Sequence, residues 1–67
     1  METVKGRVEE VLPGLQCRVV LEESERIILA HLAGKMRIHR IRVVPGDTVL
    51  VEMPDEKSER GRIIRRL

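Results

Sequence analysis

Arg26-Ile27-Ile28-Leu29-Ala30-His31-Leu32-Ala33-Gly34-Lys35-Met36-Arg37-Ile38-His39-Arg40 is the stretch that decides the fold. Arg26–Leu32 is nearly continuous in apolar side chains, which predicts a strand. From Gly34 to Arg40 the strand alternation is lost, and the segment reads as a short helical turn or an ordered loop. Toward the C-terminus, Ile41–Val44 suits extended chain and Pro45-Gly46-Asp47 is a strong turn signal. Thr48–Met53 then makes a fourth strand, Pro54–Arg60 a charged loop, and Gly61–Leu67 a short fifth strand. Toward the N-terminus, Glu22–Glu25 is a polar connection. Before it lies a strand with Leu15, Cys17, Val19 and Leu21 inward and Gln16, Arg18 and Glu22 outward. Pro13-Gly14 marks a turn. Thr3–Leu12 opens the chain with Val4, Gly6 and Val8 on one face and Lys5, Arg7 and Glu9 on the other. Gly6 inside that strand predicts a bulge or a sharp bend, a device that curls a sheet into a barrel.

Five short strands with one irregular helical insertion between the third and fourth predict an all-β fold, a five-stranded Greek-key barrel on the OB plan. An SH3-like barrel also has five short strands, but it does not usually place its longest irregular segment there. The 67 residues make one domain, 1–67, with no room for a second. A chain this short buries only roughly 60% of its unfolded surface, so a thin core is expected. With no Phe, Tyr or Trp, that core must be built from Val, Ile, Leu and Met.

The net charge of +2 hides an uneven distribution. Residues 1–30 balance at −2, residues 31–45 carry Lys35, Arg37, Arg40 and Arg42 with no acid, and residues 46–59 balance at −4. Residues 60–67 carry Arg60, Arg62, Arg65 and Arg66, again without an acid. Two purely basic segments separated by an acidic one predict a directional electrostatic face. The one cysteine, Cys17, has no partner for an internal disulfide and points to a reducing compartment. No stretch approaches the ~20 apolar residues that span a bilayer, and no signal-like run opens the chain. A cytoplasmic, soluble monomer is expected.

The run Ala30-His31-Leu32-Ala33-Gly34-Lys35-Met36-Arg37, then Arg40-Ile41-Arg42 and Gly46-Asp47, resembles the central signature of the bacterial translation initiation factor one family. Glu9–Pro13 and Cys17–Leu21 are similar to that family's first two strands, and Gly61–Ile64 to its last. The resemblance spans about Gly6 to Arg66. It implies an OB-fold factor in the A site of the small ribosomal subunit, contacting decoding-centre RNA and a small-subunit protein and cooperating with the other initiation factors. Carried over by position, the RNA-binding residues are His31, Lys35, Met36, Arg37, Arg40, Arg42, Arg62 and Arg65. The chain departs from the family at Cys17, where an aromatic residue is usual, and at Arg40, where Tyr is frequent. It departs again at Ser24-Glu25 and at Asp55-Glu56-Lys57-Ser58, and its N-terminal arm is shorter.

The residues themselves support this reading. Gly34 flanks a segment free of acids, so Lys35 and Arg37 suit phosphate pairing with counterion release. A solvated polar loop is the bland alternative. On strict alternation, Arg62 and Arg66 share a face with Ile64, and Ile63 and Arg65 share the other. Arginine at these positions suits bidentate phosphate and base-edge contacts; Arg66 stays open between contact and solvation.

His31, His39 and Cys17 lack the paired-ligand spacing of a zinc site, so no metal and no cofactor is expected. No nucleophile is paired with a base and an orienting group, so the chain reads as a non-enzyme without a small-molecule substrate. OB-folds that grip single strands stack bases on aromatic rings worth about 1–3 kcal/mol each. Lacking such rings, this chain should bind a preformed RNA surface by shape and phosphate contacts. The competing functions are a general RNA-binding or RNA-chaperone protein of the cold-shock type and a protein-interaction module.

Overall fold

A computed structural model describes residues 2–67. Along the chain run β1 (Glu2–Leu12), β2 (Gln16–Leu21), β3 (Ile27–Leu32), α1 (Gly34–Ile38), β4 (Thr48–Met53) and β5 (Arg60–Arg66). The strands close into one barrel in the order β1-β2-β3-β5-β4, with β4 returning to β1. Only β3 and β5 run parallel; the other ladders are antiparallel. Closure removes the free strand edges on which open sheets aggregate.

The long first strand makes closure possible. Its first half pairs with β4 and its second half with β2, and Gly6 sits at the overlap, paired with both Val49 and Leu21. A methyl group on Gly6 would collide with Val19 Cγ1 and stand 3.1 Å from the Val20 carbonyl oxygen. Glycine is therefore required there by close approach, while the β1 bulge falls at Glu9, between Val8 and Glu10. The expected irregularity of β1 exists, three residues later than Gly6.

The core is built of aliphatic side chains, two methionines and Cys17. Val8, Val19, Val49, Val51 and Ile63 are essentially inaccessible, with Ile28, Met36 and Met53 filling the remaining space. Cys17 and Ala30, small residues paired across β2 and β3, keep that layer thin. Among the described residues no polar side chain is buried and no buried polar atom lacks a partner. No helix among them is long and apolar enough to cross a membrane.

Ile41–Val44, read as extended chain, forms no strand, and within it only Val43 is buried. Two details differ from the reading of the sequence. Leu15 does not face inward: it adopts φ 61° in the turn after Pro13-Gly14 and is 51% exposed. The second concerns β5. Leu50 pairs with Arg65 but Val51 pairs with Ile63, so Ile64 is the extra residue of a second bulge. Paired residues lie on the same face of a ladder. The bulge therefore breaks the alternation and places Arg62 and Arg65 together on the outer wall, with Arg66 on the other face.

Candidate nucleic-acid interface

The helical insertion is short, and its N-cap, Ala33, contributes no side-chain hydrogen bond. Intrinsic propensity does not hold five residues in a helix. The anchor is Met36, only 2% exposed, which inserts into the core, while the Ala33 amide donates to the Ile63 carbonyl at 2.9 Å. The helix stops in a Schellman arrangement: Ile41 N–H donates to the Met36 carbonyl at 2.9 Å and Arg40 N–H to that of Arg37 at 3.1 Å. Arg40 occupies the left-handed position usually given to glycine, with φ 53°. With Met36 fixed inward, Lys35, Arg37 and Arg40 are left exposed. Sequence resemblance placed Met36 among RNA-contacting residues; in the structure it is 2% exposed and anchors the helix that presents the others.

The start of α1 and the end of β5 meet. Lys35, His39, Ile41, Ile64, Arg65 and Arg66 line one shallow cleft with Met36. The two basic segments, far apart in sequence, thus touch in space. Arg65 stands on the outer wall opposite Leu50, which on its other side pairs with Lys5 of β1. Lys5 and His39 extend this surface; Lys5 went unassigned as a contact in the sequence because residues 1–30 are acidic on balance, and His39, inside the acid-free 31–45 segment, was weighed only as a metal ligand.

A second row crosses the same wall. His31, Arg62 and Glu52 are cross-strand neighbours on β3, β5 and β4. Arg62 is ion-paired to Glu52 through Nη2 and Oε1. His31, Glu52, Pro54, Ser58, Arg60 and Arg62 surround a shallow depression there. Arg42 stands apart, on the rim of an apolar recess formed with Val11, Leu15, Cys17, Ile41, Val43 and Val44.

Not every arginine is available. Arg18 is paired with Glu10 at 2.6 Å. Arg66 Nε contacts Asp47 Oδ2 at 3.2 Å, and its Nη1 donates to the Arg42 carbonyl at 3.4 Å. Asp47 also accepts from the Val44 amide at 2.9 Å, so Arg66 ties the 42–47 segment to the end of β5. Arg26 donates to the carbonyls of Glu56, Lys57 and Ser58 and holds the β4–β5 loop down. Lys35, Arg37, Arg40, Arg42 and Arg65 have no carboxylate within ion-pair distance among the described residues. Nor do three or more His, Cys, Asp or Glu side chains converge there on a metal-sized space.

A closed five-stranded barrel, a helix between its third and fourth strands and an aromatic-free basic wall define a small OB-fold protein. Residues 1–67 match the family model described as translation initiation factor 1A / IF-1. The solution structure of translation initiation factor IF-1 from the Wolbachia endosymbiont strain TRS of Brugia malayi is similar, at 46% identity and a TM-score of 0.77. That match covers 98% of this chain and 77% of the other. YjeQ from Thermotoga maritima is also similar, at 30% identity and a TM-score of 0.79, covering 98% of this chain but 23% of that one. The chain belongs to the translation initiation factor 1A / IF-1 family, a non-enzymatic class.

Proposed function

We propose that this protein is an initiation factor that binds the A-site region of the small ribosomal subunit through rRNA phosphate and base contacts, and aids assembly of the initiation complex with the other initiation factors. The observation that carries the proposal is the meeting of Lys35 on α1 with Arg65 on β5, neither engaged by a carboxylate among the described residues. Free cations on a rigid wall gain counterion release on meeting phosphate without first breaking an internal pair. Arg37 and Arg40 continue this surface, Arg42 contributes from the rim of the neighbouring apolar recess, and His31 and Arg62 form its second patch. A small-subunit protein near the A site is a further contact, as membership of the family implies. The site of action is the cytoplasm, and the working form is a monomer of one domain.

The absence of aromatic side chains favours this reading over an RNA chaperone, since no stacking platform exists for a loose strand. Co-sedimentation with purified small subunits, with and without the other initiation factors, tests it. Tight binding to subunits and weak binding to poly-pyrimidine RNA is the expected result. Equal affinity for the two would replace the initiation-factor reading by the chaperone one.

A further inference from the structure

The two basic patches differ in one physical respect. At the α1–β5 junction the cations Lys35 and Arg65 have no carboxylate partner among the described residues, whereas Arg62, central to the second patch, is held by a carboxylate on the neighbouring strand. The pair is set by register: Glu52 lies directly opposite Arg62 on the outer wall, with Thr3 beyond it on β1. Glu52 is the less accessible partner, 21% exposed against 47% for Arg62, so the carboxylate is packed into the wall and the guanidinium lies over it.

Resting on the functional reading above, we propose that Glu52 is a specificity-determining residue, screening Arg62 against RNA that does not hold a hydrogen-bond donor in fixed register beside its phosphate. A phosphate that takes Arg62 from Glu52 exchanges one charge-assisted hydrogen bond for another and leaves two anions side by side. Like-charge juxtaposition of this kind suppresses wrong partners more than it weakens the right one. The right ligand satisfies both members: an acceptor for the guanidinium and, beside it, a hydroxyl or amino donor for the carboxylate. The ribose 2′-hydroxyl and the exocyclic amino groups of bases are such donors. A folded RNA surface holds them in fixed register with a phosphate, while a flexible strand loses conformational entropy in doing so. Attraction and discrimination are thus divided: the unpaired cations near α1 supply the first, and the Arg62–Glu52 pair supplies the second.

Glu52→Gln tests this, since it removes the charge and keeps the shape. Glu9→Gln, at the exposed β1 bulge, makes the same charge change away from Arg62. Both variants and the parent chain are titrated with poly-pyrimidine RNA and with small subunits across a salt series. Glu52→Gln should tighten oligonucleotide binding about three- to tenfold, as expected for removing one anion at contact range. It should also steepen the log–log salt slope on the oligonucleotide by about 0.7, the increment for one further phosphate contact on a single strand. On the subunit, where the carboxylate is expected to accept a charge-assisted hydrogen bond, affinity should fall or rise less than on the oligonucleotide, so that selectivity falls. Equal tightening on both ligands, equal effects of Glu9→Gln, or no change on the oligonucleotide would each overturn the proposal. So would a loss confined to the subunit, which would make Glu52 a plain contact residue. The oligonucleotide arm reads Glu52 by itself; failure of the parent chain to bind subunits would strike the functional proposal alone.

Discussion

Arg40 carries a backbone conformation that its side chain does not favour. A non-glycine residue in the left-handed region costs about 1–2 kcal/mol, and glycine relieves that cost at the expense of greater freedom in the unfolded chain. Arg40→Gly should therefore leave thermal stability equal or raise it by up to about 1 kcal/mol. The same change should weaken small-subunit binding, because an exposed guanidinium beside Lys35 and Arg37 is lost. A thermal melt and a sedimentation assay on one preparation check both; a destabilised variant would show that the Arg40 side chain supports the fold. Cys17 offers a second test at this scale. Burial pushes its thiol above the ordinary value of 9.0, so the native state keeps a proton that the unfolded chain releases. Stability should be independent of this group below about pH 8 and fall as pH rises through the unfolded value toward the native one. Urea unfolding across that range checks it: Cys17→Ala, though weaker at every pH, should show a shallower alkaline decline.

Among the elements, α1 depends on packing and β5 on an irregularity. Met36 fixes the helix, and truncating a buried Met to Ala costs about 2–5 kcal/mol. Met36→Ala should lower the urea midpoint and weaken subunit binding together, because Lys35 and Arg37 lose their fixed platform. On β5, the bulge at Ile64 turns Arg65 to the outer wall beside Arg62. The parallel seam between β3 and β5 is short, running from Leu29↔Arg60 to Leu32↔Ile63. Gly61 lies inside it, and a methyl group there would stand 2.6 Å from Val51 Cγ1 and 3.2 Å from both the Glu52 carbonyl oxygen and Ile28 Cδ1. Valine is stiff and the carbonyl belongs to a ladder, so the neighbours yield poorly. Gly61→Ala should cost about 1–3 kcal/mol, the usual range for overpacking, read as a shift in the urea midpoint.

Over the whole molecule, function rests on where charge is displayed. Reversing Lys35, Arg37 and Arg62 to Glu removes three cations from the proposed interface, all exposed. Exposed substitutions usually move stability by within about 0.5 kcal/mol, and the fold should survive. At Arg62 the change also loses the Glu52 pair and sets two carboxylates opposite each other, which together cost about 1 kcal/mol at this exposed position. Binding should be abolished at moderate salt, and the residual log–log salt slope should be flatter by roughly 2–3 units at ~0.7–0.9 per contact. Lys57→Glu serves as the comparison, since Lys57 sits in an acidic segment on the β4–β5 loop. A loss of binding after Lys57→Glu equal to that after Arg37→Glu would show that bulk charge, and no particular surface, governs association. Unfolding of the triple variant would assign those side chains to the fold.

The amino-acid sequence by itself determined the architecture, because its signals are local. Alternation marks β4 at Thr48–Met53, Pro13-Gly14 and Pro45-Gly46-Asp47 mark turns, and the loss of alternation after Ala33 marks the insertion that distinguishes this barrel. The two acid-free basic segments were equally plain. Their meeting at Lys35 and Arg65 depends on the parallel closure of β3 against β5, a contact between distant parts of the chain. Tertiary structure alone also decided which cations are free: Glu52, Asp47 and Glu10 reach Arg62, Arg66 and Arg18 through strand register and loop packing. The face of Arg65 followed from a bulge that alternation cannot foresee, since the extra residue is set by the ladder it fails to match. Met36 is the sharpest case. Its motif placed it among the binding residues, and packing made it part of the core, because a five-residue helix without a side-chain cap needs an apolar anchor to exist.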